Sequence, residues 1–397
     1  MNKQHKGYGL SCVCLLIGML FLSYTQHDLK KTQQEAWVDY VFQSLSEEQR
    51  IAQLFLVAAY SNKDETHASA IEELIQRYNI GGLVFFQGTP TSQGVLTNRY
   101  QKITKTPLLI AMDAECGLGM RLEATISYPQ QMTLGALRDD ALLYDMGTEI
   151  ARQLKRIGVH INFAPVMDIN NNPNNPVIGN RSFGEFGNQV ANKGIAYIKG
   201  LQNNGILAVA KHFPGHGDTN IDSHHALPTI AHDAHRLNTL ELLPFKEAIA
   251  AGIQGIMVAH LHVPAYDNTP QLATTLSKKV VTSLLKKQLK FQGLVLTDAL
   301  NMKSVSTYHQ PGEVDLRALQ AGNDILVFPE DVPKAITLIQ QAVQNQELDA
   351  EVINKKVKRL LRLKYQMALH TWQPIEIQNV ETQLHTPQGC LLKQQLF

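Results

Sequence analysis

Residues 211–228, KHFPGHGDTNIDSHHALP, hold four histidines and two aspartates within a single short stretch. Three kinds of chemistry suit that composition: a metal nest, a merely polar loop, or acid/base machinery. Asp222 and His224 are separated only by Ser223, a spacing that permits a carboxylate–imidazole pair in which Asp222 fixes the tautomer of the ring. An imidazole held in that way can give a proton to a leaving group and later take one from water near neutral pH. His212, His216, Asp218, Asp222, His224 and His225 are all suitable metal-ligand types. No His-x-x-x-His pair on a helix and no Cys-x-x-Cys accompanies them, so no metal is assigned. His225 reads as a neighbour of the pair, and His216 and Asp218 as loop hydrogen bonders. Gly215 and Gly217 would let the loop swing over a cavity as a lid does.

A further carboxylate lies far along the chain. Asp298 ends the run GLVLTD and precedes ALNM, where an ionised oxygen could attack an electrophilic carbon. The alternative is an ordinary helix N-cap for the segment that follows. Other apolar runs end in the same fashion: PLLIAMD in Asp113, INFAPVMD in Asp168, LAVAKHF in Lys211 and His212, GIMVAHLHV in His260 and His262. Charges at such places are costly when they point unpaired into a packed interior, and are reasonable facing an open pocket.

The elements that must position these residues are legible as a pattern. Eight apolar runs, AQLFLVAAY, IGGLVFF, PLLIAMD, INFAPVMD, LAVAKHF, GIMVAHLHV, LVLTDAL and DILVFP, mostly lack alternation, as strands buried on both faces do. Amphipathic stretches such as 139–158, 188–205 and 237–252 separate them. Eight strand-then-helix units predict an α/β fold of the (β/α)8 TIM-barrel type, a single catalytic domain, with a doubly wound sheet as the fallback. In such a barrel the loops at the C-terminal strand ends converge on one mouth, which is where the polar residues fall. The helix over DAEVINKKVKRLLRLKYQMAL closes the barrel, and the Gln-rich chain beyond Thr371 reads as a tail with little structure of its own. The expected division is 1–30 as an N-terminal signal or anchor, 37–371 as the barrel, and 372–397 as the tail.

Bulk composition narrows the partners. Thirty-six basic against thirty-five acidic residues give a net charge of +1 with no basic stripe, so no nucleic-acid partner is expected. No Gly-rich phosphate loop or dinucleotide fingerprint occurs, so no cofactor is expected. Of four cysteines, Cys12 and Cys14 lie in the apolar leader, and Cys116 and Cys390 make no disulfide framework. Lys3 and Lys6 precede the apolar run 7–24, which reads as a membrane tether or a cleaved export signal. The expected location is therefore periplasmic or extracytoplasmic, with the inner membrane as the anchor point and a monomeric body.

The motifs KHFPGHGDTNIDSHHALP, GNRSFGEFG, NFAPVMDINNNPNNPVIGNRSFG and LVLTDALNM resemble those of glycoside hydrolase family 3, and within it the bacterial β-N-acetylhexosaminidase branch with its Asp-Ser-His dyad. The resemblance runs from about residue 40 to 370. It implies Asp298 as nucleophile, His224 as acid/base and Asp222 as its partner. It also assigns Asp113, Arg121, Arg181, Lys211, His212 and Met302 to the sugar, with Arg181 alternatively a brace for its Asn/Pro-rich loop and Asp168 a loop organiser. The implied activity is retaining exo-hydrolysis of terminal N-acetylglucosamine from peptidoglycan fragments. The rivals are a β-glucosidase or β-xylosidase of the same family, a metal-dependent hydrolase, and a non-catalytic sugar-binding barrel. One departure stands out: DAECGLGMR replaces the common Asp-Gln-Glu-Gly-Gly loop while keeping Asp113 and Arg121 eight apart.

Overall fold

In the computed structural model, which describes residues 30–397, eight parallel strands form one sheet. They are β1 (Phe55–Tyr60), β2 (Gly82–Phe86), β3 (Leu109–Met112), β4 (Ile161–Asn162), β5 (Leu207–Phe213), β6 (Gly255–Val258), β7 (Leu294–Thr297) and β8 (Leu326–Val327). Neighbours pair in chain order from β1 to β7, and β8 pairs β1. A parallel bridge between Leu296 and Ile325, with Thr297 N–H donating to Ile325 O at 3.1 Å, brings β7 to the approach of β8 and nearly closes the barrel. Each expected run contains one of these strands. Every residue of β3, β5, β6 and β7 is buried, which is why those runs show no alternation.

The crossovers carry the expected helices, including Glu65–Tyr78, Pro90–Ile103, Ala141–Arg156, Gly187–Asn203, Leu243–Ala250 and Glu313–Ala321. Side chains fix several starts. Asp64 Oδ1 accepts from His67 N–H at 3.2 Å, and Asp331 Oδ1 from Lys334 N–H at 3.0 Å, each satisfying an N–H with no intrahelical partner. Helices Ala141–Arg156 and Gly187–Asn203 approach closely because Gly147 and Gly200 meet: a Cβ on Gly200 would lie 2.3 Å from Tyr144 O.

Three boundaries differ from expectation. INFAPVMD is a strand only at Ile161–Asn162, since Pro165 has no N–H to give the ladder; beyond it the pairing continues as an isolated bridge, Val166 to Lys211. The barrel-packed chain begins before residue 37: a helix over 30–44 buries Val38 and Val41 and pairs Glu35 with Arg362 at 2.7 Å. The chain beyond Thr371 is not structureless. Helices Val380–Leu384 and Pro387–Gln395 bury Val380, Leu384 and Leu396, and Arg152 donates to Gln383 O at 2.9 Å. No described helix is long and apolar enough to cross a membrane, and the apolar run 7–24 lies outside the described residues.

Candidate active site

A cavity of about 340 Å³ opens where the strands end. Asp113, Arg121, Arg181, Lys211, His212, His224, Asp298 and Met302 all line it, so residues spread over nearly two hundred positions meet at one mouth. A larger cavity, about 870 Å³, lies at the other end of the barrel beside His160, Gln254 and Gly293, away from all of them.

The floor is a network of paired charges. Asp113, just past β3, accepts from Lys211 Nζ at 2.8 Å and from Arg121 Nη2 at 2.9 Å. Glu115 takes Arg181 through two bonds, 2.8 and 3.0 Å, and sits 2.7 Å from Lys211 Nζ, so Lys211 bridges the two carboxylates. Burial opposes ionisation of both acids, yet Lys211 with Arg121 holds Asp113 below the ordinary carboxylate range, and Lys211 with Arg181 holds Glu115 far below it. The guanidinium of Arg121 also lies 4.8 Å from the centre of the Phe86 ring. Together these groups present fixed donors and acceptors to a polyhydroxylated ligand, with an apolar wall of Phe86, Phe163 and Phe328 beside them.

Asp298 follows β7 directly. Its N–H donates to Val258 O at 3.0 Å, and its Oδ1 accepts from Ala299 N–H at 2.8 Å. Burial opposes its charge, but His212, His260 and the Ala299 N–H outweigh burial and keep it ionised at neutral pH. The N-cap alternative fails, because the next helix starts at Lys303 without a side-chain cap. Oδ2 of Asp298 has no protein donor among the described residues.

His212 is oriented from behind. Its Nδ1 lies 2.7 Å from Asp168 Oδ2, which leaves Nε2 toward the cavity, 3.4 Å from Arg181 Nη2. Asp168 is wholly buried and also accepts from the backbone N–H groups of His212 and His216, as a loop organiser would. On the loop, His224 Nδ1 lies 2.7 Å from Asp222 Oδ1, and the His224 N–H donates to the same oxygen at 2.8 Å. Asp222 does not line the cavity; it holds the ring that does. Among the described residues, the Nε2 of His224 has no hydrogen-bond partner.

Not every strand-end residue faces the mouth. His260 is buried between Thr275 Oγ1 (2.8 Å) and Ala299 O (3.0 Å), behind Asp298, and His262 Nδ1 lies 3.4 Å from Leu272 O. The histidines of 211–228 do not converge either: the His212 ring is held by Asp168, that of His216 by Thr219 and Ser223, and that of His224 by Asp222. The ligand atoms that do cluster, within 4.8 Å, are those of Asp218, His232 and Glu241, with the Arg236 guanidinium reaching both carboxylates at 3.2 and 3.3 Å. Glu115 is the residue that sequence reading missed. Its signal was its place two residues beyond Asp113 in DAECGLGMR, a spacing that in extended backbone returns a side chain to the same face.

The model for the glycosyl hydrolase family 3 N terminal domain matches residues 46–363. Beta-hexosaminidase A of Pseudoalteromonas piscicida is 36% identical over 326 residues, covering 74% of this chain; the chain spans about half, 54%, of that relative's length. Beta-hexosaminidase LpqI of Mycobacterium tuberculosis is 32% identical over 335 residues, 81% of this chain and 83% of that protein. The solved structure of a glycoside hydrolase family 3 beta-N-acetylglucosaminidase from Paenibacillus sp. strain FPU-7 superposes with a TM-score of 0.82 at 36% identity, over 89% of this chain and 68% of that one. With the model matched across the whole barrel, this chain belongs to glycosyl hydrolase family 3.

Proposed function

We propose that the chain is a retaining exo-β-N-acetylglucosaminidase that removes terminal N-acetylglucosamine from peptidoglycan-derived glycans outside the cytoplasm. The observation that carries this reading is that one cavity is lined both by the ionised Asp298, on a strand end, and by the Asp222-held imidazole of His224, on a separate loop. In the first step an Asp298 oxygen forms a bond to the anomeric carbon as the glycosidic C–O bond breaks, and His224 passes its Nε2 proton to the departing oxygen. In the second, water attacks the same carbon, its proton goes to His224, and the bond to Asp298 breaks. Histidine in place of the more usual second carboxylate is neutral after giving up its proton, so it repels an anionic aglycone less. That property suits a muramic leaving group with its lactyl carboxylate. The beta-hexosaminidase relatives support the sugar, and the apolar run 7–24 behind Lys3 and Lys6 supports the location.

The test is a panel of aryl N-acetylglucosaminides, glucosides and xylosides, assayed with and without phosphate and chelator, followed by N-acetylglucosaminyl-muropeptides. The reading requires N-acetylglucosaminide turnover with retention of configuration, release of free N-acetylglucosamine from the muropeptides, and a fluorinated substrate that labels Asp298. Labelling elsewhere removes the nucleophile assignment, and activity confined to glucosides or xylosides removes the sugar assignment.

A further inference from the structure

The acid/base pair hangs over the mouth with little to hold it. The His224 side chain is 59% exposed and that of Asp222 31%. Ser223 between them is the reverse, 2% exposed, with its hydroxyl 3.0 Å from His216 Nε2. Among the described residues, every other hydrogen bond of residues 220–226 stays inside that segment. Asp222 Oδ1 takes the His224 N–H and ring, and Asp222 O takes the N–H groups of His225 and Ala226. The Ser223–His216 bond is thus the single hydrogen bond between the tip that carries the dyad and the barrel.

His216 is rooted as firmly as the tip is loose. Its N–H donates to Asp168 Oδ1 at 2.7 Å, its carbonyl accepts from Asn175 Nδ2 at 2.8 Å, and its ring Nδ1 is 3.1 Å from Thr219 Oγ1. The same Asp168 holds His212, whose ring meets the His216 ring edge-on at 5.9 Å. Burial pushes the His216 imidazole down to about 4, so at neutral pH it offers one donor and one acceptor, and two hydroxyls occupy them. His216 and Ser223 both line the sugar cavity, so the fastening lies where the flap meets the bound ring.

We propose that His216 is a positioning residue for the acid/base, acting through the hydroxyl of Ser223 to seat the Asp222–His224 pair over the glycosidic oxygen. This rests on His224 being the acid/base, and the experiment separates the two claims. Ser223→Ala, Ser223→Thr, His216→Ala and the double alanine variant are compared with His224→Ala on two N-acetylglucosaminides, 4-nitrophenyl with a good leaving group and methyl with a poor one. Loss of a general acid costs about 10²–10⁴-fold where the leaving group needs the proton. Ser223→Ala misplaces the acid without removing it, so about a tenfold loss of kcat/KM, which reports the glycosylation step alone, is expected on the methyl glycoside, with less than about threefold on the 4-nitrophenyl one. Ser223→Thr keeps the hydroxyl and restores the methyl activity. The double variant loses no more than His216→Ala alone, since both remove one bond.

If His224→Ala splits the two substrates and Ser223→Ala does not, the latch is overturned while the acid/base stands. Equal losses on both substrates for Ser223→Ala, a threonine variant as poor as alanine, or additive losses in the double variant also overturn the latch. If His224→Ala itself shows no split, the acid/base assignment falls and the latch with it.

Discussion

Glu115→Gln keeps the shape of the pocket floor and deletes one buried negative charge. Glu115 is 4% exposed and answers Arg181 through two bonds and Lys211 through one. Without it, Arg181 keeps Val177 O at 3.3 Å and the ring nitrogen of His212 at 3.4 Å, while Lys211 falls back on Asp113, already shared with Arg121. Removing one partner of a buried ion pair costs about 3–5 kcal/mol. The amide oxygen still accepts one bond and the Arg181 side chain is 28% exposed, which brings the expected loss to about 2–4 kcal/mol. At about 2.1 cal/mol/K of unfolding entropy per residue, that is a fall of roughly 2–5 °C in Tm. The fold holds this carboxyl far below its ordinary value, mainly against burial and through Lys211 and Arg181. Its contribution is therefore complete above the unfolded pKa near 4.5 and is lost as pH falls through the folded value. Calorimetry of both proteins should give a constant gap from about pH 6 to 8 that narrows steadily below about pH 4. KM for the N-acetylglucosaminide should rise by about tenfold, since two cations proposed to bind the sugar lose their anchor. No gap at pH 7, or one that persists undiminished into acid, refutes the account of the floor.

Three other changes test separate parts of the molecule. Gly217→Ala would set a Cβ 1.7 Å from Ile169 O, a backbone atom with nowhere to go; the flap root must shift, lowering stability by about 1–3 kcal/mol and kcat by at least about tenfold, and wild-type kinetics would sink the close-approach argument. Lys364 is wholly buried with Gln53 Oε1 at 2.6 Å as its partner, and burial pushes its amine down to about 7. Lys364→Met should therefore raise the urea midpoint at pH 6, where the ammonium penalty is complete, with a gain that shrinks or reverses by pH 10 as the wild type sheds its proton and the variant leaves Gln53 unpaired. A gain that grows with pH would contradict the sign. Truncation after Thr371 exposes the barrel surface that Val380, Leu384 and Leu396 cover, each 1% exposed in the intact chain. At about 1.5–3 kcal/mol per buried side chain, Tm should fall by several degrees, and an unchanged melt would mean the terminal helices contribute nothing.

The barrel was legible because its signal is non-local and redundant: eight apolar runs must be buried on both faces whatever their exact ends. The polar residues that end five of those runs located the mouth before any geometry was known, since a charge at that place has either a partner or a pocket. Strand ends alone could not say which. His260 shares its pattern with Lys211 and Asp298, yet it is closed off between Thr275 and Ala299, a fact set by the 274–276 turn packing across it. Glu115 was hidden for the opposite reason, lying in a loop whose departure from the family pattern drew attention from the charge it retained. The terminal helices were missed because their composition is polar and their few apolar residues pay off only against a surface the barrel supplies.

The site joins two mechanical regimes, and the division follows the chemistry. Asp298, Asp113, Glu115, Lys211 and Arg181 are set by strand ends or by paired charges, so the proposed nucleophile and the proposed sugar site share a floor that needs no rearrangement. In the proposed mechanism the acid/base instead serves two different atoms, first the leaving oxygen and then an incoming water, on a face that the aglycone must enter and leave. A group on a strand end would obstruct that passage; a group on a flap clears it, at the cost of having to be seated for each turnover. The burial pattern 31%, 2% and 59% over Asp222, Ser223 and His224 fits that demand, with one buried hydroxyl supplying the seat between a half-buried carboxylate that holds the ring and the exposed imidazole proposed to transfer the proton. Seating and leaving-group dependence should accordingly be linked in kcat/KM, which reports the first step alone: a good leaving group departs without a seated acid, whereas on a poor one every loss of seating appears.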